Sequence, residues 1–187
     1  MIYPEKLNSR KNDKIVKVFI TISIVLGLLL VLINHLTVPN VPWAAVSNAG
    51  IIYVWIVVYY ATHRNTNIAG HVLLQTIALS ILSIFIDYKF GMAGWAFNII
   101  IPIIIIISNV TMAVLTIVSH KKYIKYAFCQ LIIVIFSLFP IYLIKRNIVH
   151  NVILCIVASS ISAGNFLLSL LLCAKAEKEA IIRKFHI

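Results

Sequence analysis

Six apolar runs, spaced by loops that are alternately poor and rich in Lys and Arg, constrain this chain more than any other feature. The runs cover residues 15–33, 43–60, 71–86, 96–118, 128–144 and 152–173. At ~1.5 Å rise per residue, a helix over each run reaches across most of a ~30 Å hydrocarbon core. β-Branched residues dominate several runs, notably Ile99 to Ile107. In water such a run would suggest a buried strand, but in lipid the backbone must satisfy its own hydrogen bonds, and helix does so. The alternating polar pattern of a membrane barrel is absent. The expected fold is all-α: an integral membrane bundle of six transmembrane helices, one domain over residues 1–187, with a basic tail over 174–187.

Composition agrees, with 62% of the residues hydrophobic and 11% charged. A soluble domain of 187 residues could not hide that much apolar surface. The net charge of +11 then reads as topology signal and attraction to anionic headgroups. A nucleic-acid partner is not expected, because no soluble face is large enough to gather the basic residues.

Charge also sets the orientation. Basic residues cluster at and before the start of the first run (Lys6, Arg10, Lys11, Lys14 and Lys17), after the fourth (Lys121, Lys122 and Lys125) and after the sixth (Lys175, Lys178, Arg183 and Lys184). With six spans, thirteen Lys and Arg fall on one side and three, Lys89, Lys145 and Arg146, on the other. The positive-inside rule puts both termini in the cytoplasm of a bacterial plasma membrane. Trp43 and Trp95 then mark outer helix ends, and Tyr59, Tyr60, Tyr123 and Tyr126 inner ones. The first run is too long for a cleaved signal peptide, and its nearest small-residue site, Ser47-Asn48-Ala49, lies well beyond it. Trp43-Ala44 with Asn48 and Trp95-Ala96 with Asn98 share a faint likeness, which chance placement of interfacial Trp explains without duplication.

Polar residues inside the spans are the places to look for a site. Asp87 is the only acidic residue between Asp13 and Glu177, and it closes the third run as Ile86-Asp87-Tyr88-Lys89. A carboxylate there opposes the helix macrodipole and needs compensation. Lys89, Lys145 and Arg146 fall on the same side and suggest an interfacial ion pair; a ligand contact is the competing reading. Beyond it come Gly91-Met92-Ala93-Gly94-Trp95, then Asn98 and Pro102. Pro102 removes a donor from the fourth helix. The freed backbone and the Asn98 amide could line a small polar cavity, although a turn followed by a mild kink is the simpler reading. Asp87, Trp95 and Asn98 are therefore the candidate polar or ligand site.

The amides Gln75, Asn109 and Gln130 are expected to bond between helices, and Pro140 to bend the fifth helix near its end. Small residues one turn apart in the sixth run, Ser159 with Ala163 and Ser160 with Gly164, suggest close approach to another helix of the same chain. The tail sets Ile181, Ile182 and Phe185 among basic residues, as in a short helix lying on the inner leaflet.

No catalytic, metal-binding or cofactor-binding residues stand out, and no cofactor is expected. His63, His71, His120 and His186 show no ligand spacing. Cys129, Cys155 and Cys173 form no CxxC pair and read as small apolar side chains. HExxH, GxSxG and paired carboxylates are missing. A cysteine peptidase built on Cys129 would lack a histidine nearby in sequence.

Tyr3-Pro4, Ile86-Asp87-Tyr88, Gly91, Gly94-Trp95, Asn98 with Pro102, and Phe185-His186 together resemble an uncharacterised bacterial six-helix membrane-protein family, a domain of unknown function. The likeness covers nearly the whole chain and implies no reaction or substrate. Members are often preceded by a small zinc ribbon; the chain begins at Met1 without its cysteines, so zinc is not carried over. In helix number and length the chain is also similar to the substrate-binding subunits of energy-coupling vitamin transporters. Their AxxxA docking motif is absent from Val18-Phe19-Ile20-Thr21-Ile22-Ser23-Ile24. The expected function is a non-catalytic scaffold, sensor or regulator of a partner, ahead of small-molecule transport and of a peptidase. The expected partners are the bilayer, including anionic inner-leaflet lipids, and a second membrane protein.

Overall fold

The computed structural model describes residues 6–63, 68–118, 123–146 and 149–185. The helices are α1 (Lys6–Thr37), α2 (Trp43–His63), α3 (Ile68–Lys89), α4 (Ile101–Val118), α5 (Tyr123–Lys145) and α6 (Val152–Phe185). A π-helical turn, Ala96–Ile100, leads into α4. Among the described residues, six helical spans are long and apolar enough to cross a membrane: Val16–Thr37, Trp43–Ala61, Ile68–Lys89, Ala96–Val118, Tyr126–Lys145 and Val152–Ala174. Each apolar run of the sequence is helical, the fourth opening with the π-helical turn before it continues as α4.

Two boundaries depart from expectation. α1 begins at Lys6, before its apolar stretch, and α6 runs unbroken to Phe185 instead of giving way to a separate surface helix. The link between span and tail, Ala174-Lys175-Ala176-Glu177-Lys178-Glu179-Ala180, holds only strong helix formers and no Gly or Pro, so nothing stops the helix there. Lys121, Lys122 and His120 lie outside the described residues.

The chain divides into two compact units, the first ending at Val54 and the second beginning at Trp55. In the first, the turn from α1 into α2 is held by Asn34. Its Oδ1 accepts from the Ala44 N–H at 3.1 Å, and its Nδ2 donates to the Val38 carbonyl at 3.2 Å. Higher up, Asn48 Nδ2 donates to the Gly27 carbonyl at 3.3 Å. A Cβ on Gly27 would come within 2.5 Å of Asn48 Oδ1, so glycine is what admits this contact.

In the second unit α4 is the hub, packing against α3, α5 and α6, while α5 and α6 form the most extensive pair. The apolar core joins Ile101, Ile105 and Met112 of α4 to Ala69 of α3, Cys129 and Ile133 of α5 and Ala158 of α6. A smaller cluster, Leu143, Val149 and Cys155, sits where α5 turns into α6 and is backed by Phe97. Tyr60 meets the His71 ring edge-on at 4.7 Å.

The candidate polar site and the buried hydrogen-bond network

The candidate site starts with the way α3 ends. Gly91 takes φ +95°. The Met92 N–H then bonds to the Asp87 carbonyl at 2.8 Å, and the Gly91 N–H points at the Tyr88 carbonyl at 3.5 Å. This is the Schellman arrangement, with glycine at the left-handed position because a Cβ is disfavoured there. Met92 follows at φ 55°, uncommon for a side-chain-bearing residue, and is exposed.

The next helix begins at once. Gly94, at φ +78°, offers its carbonyl to the Asn98 N–H at 3.1 Å and to Asn98 Nδ2 at 2.7 Å. Gly94 stands where a capping Ser, Thr, Asp or Asn would normally stand, and it has no side chain with which to cap. Asp87 supplies the missing group. Its Oδ1 accepts from the Gly94 N–H at 3.1 Å and its Oδ2 from the Ala96 N–H at 3.4 Å. The carboxylate is only 4% exposed. Charge at the wrong end of α3 is thus charge at the right end of the helix that follows.

Two of the three cations expected on Asp87 are engaged elsewhere. The Lys89 ammonium lies over the Phe85 and Tyr88 rings, 5.6 and 5.7 Å from their centroids. Arg146 donates from Nε and Nη2 to the Tyr142 hydroxyl at 3.3 and 3.2 Å, and Lys145 is exposed. Desolvated N–H donors, not a basic side chain, answer the carboxylate.

Asn98 binds in two directions. While its Nδ2 holds Gly94, its Oδ1 accepts from the His150 and Asn151 N–H groups at 2.7 and 2.9 Å, just ahead of α6. Asp87 and Asn98 therefore belong to one cluster, with Trp95 half-buried between them in sequence. Each amide and carboxylate oxygen of the pair is committed to backbone. The proline reading takes a specific form: Pro102 cannot donate to the Asn98 carbonyl, and Ile101 donates five residues back, to Ala96, to make the π turn. Asn48, the counterpart of Asn98 in the faint hairpin likeness, contacts α1, so the two do different work.

Deeper in the second unit, a second polar group joins α4, α5 and α6. Asn109, fully buried, donates from Nδ2 to Ser162 Oγ at 2.6 Å and to its own Ile105 carbonyl at 2.8 Å. Its Oδ1 accepts from Gln130 Nε2, and its backbone carbonyl accepts from Asn165 Nδ2 at 2.9 Å. Between α3 and α4, the Thr76 and Ser108 hydroxyls share a hydrogen bond. Ser159 Oγ donates to the Ser137 carbonyl of α5 at 2.8 Å, one turn before Pro140. No buried side-chain nitrogen or oxygen among the described residues lacks a partner.

Two amide expectations hold and one does not: Asn109 and Gln130 bond between helices, whereas Gln75 is exposed. The small-residue expectation divides in the same way. Ser159 is buried against α5, but Ser160, Ala163 and Gly164 are exposed, with nothing within 4 Å of a Cβ built on Gly164. Asn165, Ser162, Ser108 and Thr76 were not singled out from sequence. The hint lay in the hydroxyls at 76, 80 and 83, which fall on one helical stripe with Asp87 and are all buried.

Among the described residues, no three His, Cys, Asp or Glu side chains converge as metal ligands. Cys129 sits in the apolar core, buried among Ile133, Ile105 and Ala158. His186 lies outside the described residues.

No curated protein and no solved structure matches the chain. Residues 3–187 match the model of DUF6320, described as a family of unknown function. The chain, whose described residues form six helices long and apolar enough to cross a membrane, belongs to the DUF6320 family.

Proposed function

We propose that this chain is a non-catalytic, multi-pass membrane protein that scaffolds, senses or regulates a membrane partner. The observation that carries this reading is the closure of the polar groups on one another. Asp87 and Asn98 are taken up by backbone N–H groups, and Asn109 and Gln130 by each other and by α6. A transport site needs polar groups turned toward a cargo, and a catalytic site needs groups free to exchange protons or attack. Here those residue types hold helices together. The proposed setting is a bacterial plasma membrane with both termini in the cytoplasm, on the strength of the thirteen-to-three distribution of basic residues. In that setting the Asp87 to Asn98 segment faces outward, and Lys89, Lys145 and Arg146 lie at headgroup depth. Small-molecule transport is the competing reading, favoured by helix number alone, which is weak evidence of function.

Photo-cross-linking in living cells of the source organism separates the two. A photoreactive residue placed at exposed positions such as Ile153, Leu167 or Leu171 of α6 should give one discrete protein adduct. Absence of any adduct, together with loss of uptake of one defined solute in a deletion strain, would replace this reading with transport.

A further inference from the structure

We infer that Asp87 and Asn98 form a clasp that makes the α3–α4 connection and the start of α6 move as one body. Asp87 reaches forward and fixes the Gly94 and Ala96 N–H groups. Gly94, so fixed, presents the carbonyl that orients the Asn98 side chain through Nδ2. Asn98 Oδ1, so oriented, receives the His150 and Asn151 N–H groups. The three links run in series, and each depends on the one before: an Asn98 side chain that leaves Gly94 also turns its oxygen away from residues 150 and 151.

Two features of the backbone suit this segment to a second arrangement. Met92 holds a left-handed φ without being glycine, and the turn Ala96–Ile100 carries one residue more than an α-helical turn. Such turns occur often at functional sites, and a left-handed non-glycine residue persists only where its surroundings over-determine it. Releasing the clasp removes what over-determines both. The device is therefore a latch between two connections distant in sequence, independent of whether the protein's partner is a protein or a solute.

Residue-resolved amide exchange on the full chain in lipid nanodiscs tests it. Asp87→Asn replaces one acceptor oxygen by an amide that clashes with a facing N–H. Exchange at Gly94 and Ala96 should rise about tenfold, and exchange at His150 and Asn151 should rise with it, though Asp87 touches neither. Asn98→Ala should raise exchange at His150 and Asn151 while leaving Gly94 and Ala96 near the wild-type rate, and adding Asp87→Asn to it should raise His150 and Asn151 no further. A rise confined to Gly94 and Ala96 in Asp87→Asn overturns the latch and leaves Asp87 a local cap. If Asp87→Asn fails to fold, Asp87→Glu, whose longer side chain shifts the carboxylate off the Gly94 and Ala96 N–H groups, takes its place with the same two outcomes.

Discussion

A carboxylate at the last turn of α3 works against that helix's macrodipole, and the sequence flags the conflict without showing its resolution. The resolution lies in the two glycines. Gly91 turns the chain back and Gly94 leaves an uncapped helix start, so the Asp87 carboxylate falls where a capping side chain is missing. Asp87→Asn should accordingly cost about 1–2 kcal/mol, the usual scale of a lost cap, read from reversible unfolding in mixed micelles. Asp87→Ala should cost at least as much. The expected ion pair was a reasonable inference from Lys89, Lys145 and Arg146, because spacing cannot tell a basic partner from an N–H partner. Gly27 offers a second test at this scale. Gly27→Ala would put a methyl group against Asn48 Oδ1 and displace the Asn48 amide from the Gly27 carbonyl. The expected loss is on the order of 0.5–2 kcal/mol in the same assay, while Gly50→Ala, with open space around its Cβ position, should be neutral or slightly stabilising.

Among the elements, α4 has the greatest share of the polar packing. Asn109→Ala would strand Gln130 and free Ser162 and should destabilise by about 1–3 kcal/mol. A double-mutant cycle between Asn109 and Gln130 should return a coupling of about 0.6–1.7 kcal/mol. α6 supplies a contrast on one helix. Gly164→Leu points into open space and should change stability by less than about 0.5 kcal/mol, whereas Ser159→Leu drives a large side chain into α5 and should cost at least 1–3 kcal/mol. Small-residue spacing alone does not separate Ser159 from its neighbour Ser160. The polar stripe does: Ser159, Ser162, Asn165 and Ser169 recur at helical spacing and all turn inward, whereas Ser160 lies off it and is exposed. Gln75 likewise lies off the buried hydroxyl stripe of α3. The existence and type of the elements were legible throughout, because lipid-spanning length and backbone self-satisfaction leave helix as the solution for an apolar run. Helix ends were less so: α6 passes Ala174 into a polar but strongly helix-forming sequence, and hydropathy does not report that.

At the scale of the whole molecule, the six spans and the family membership stand together, and the orientation and role are proposals that fusion and ligand experiments decide. A fluorescent-protein fusion at the C-terminus should fluoresce, and an alkaline phosphatase fusion after Phe90 should be active, as both termini inside requires. The reverse pattern would invert the assignment of inner and outer ends. The central proposal is that the polar groups at the Asp87 connection and inside the second unit serve to hold helices rather than to bind a small molecule. A thermal-unfolding screen of the purified full chain against vitamins, amino acids, metal ions and lipids tests it most directly. Lipids alone should raise the Tm. A vitamin, amino acid or metal ion that raises the Tm of the wild type, and no longer does so in Asp87→Asn or Trp95→Ala, would contradict it.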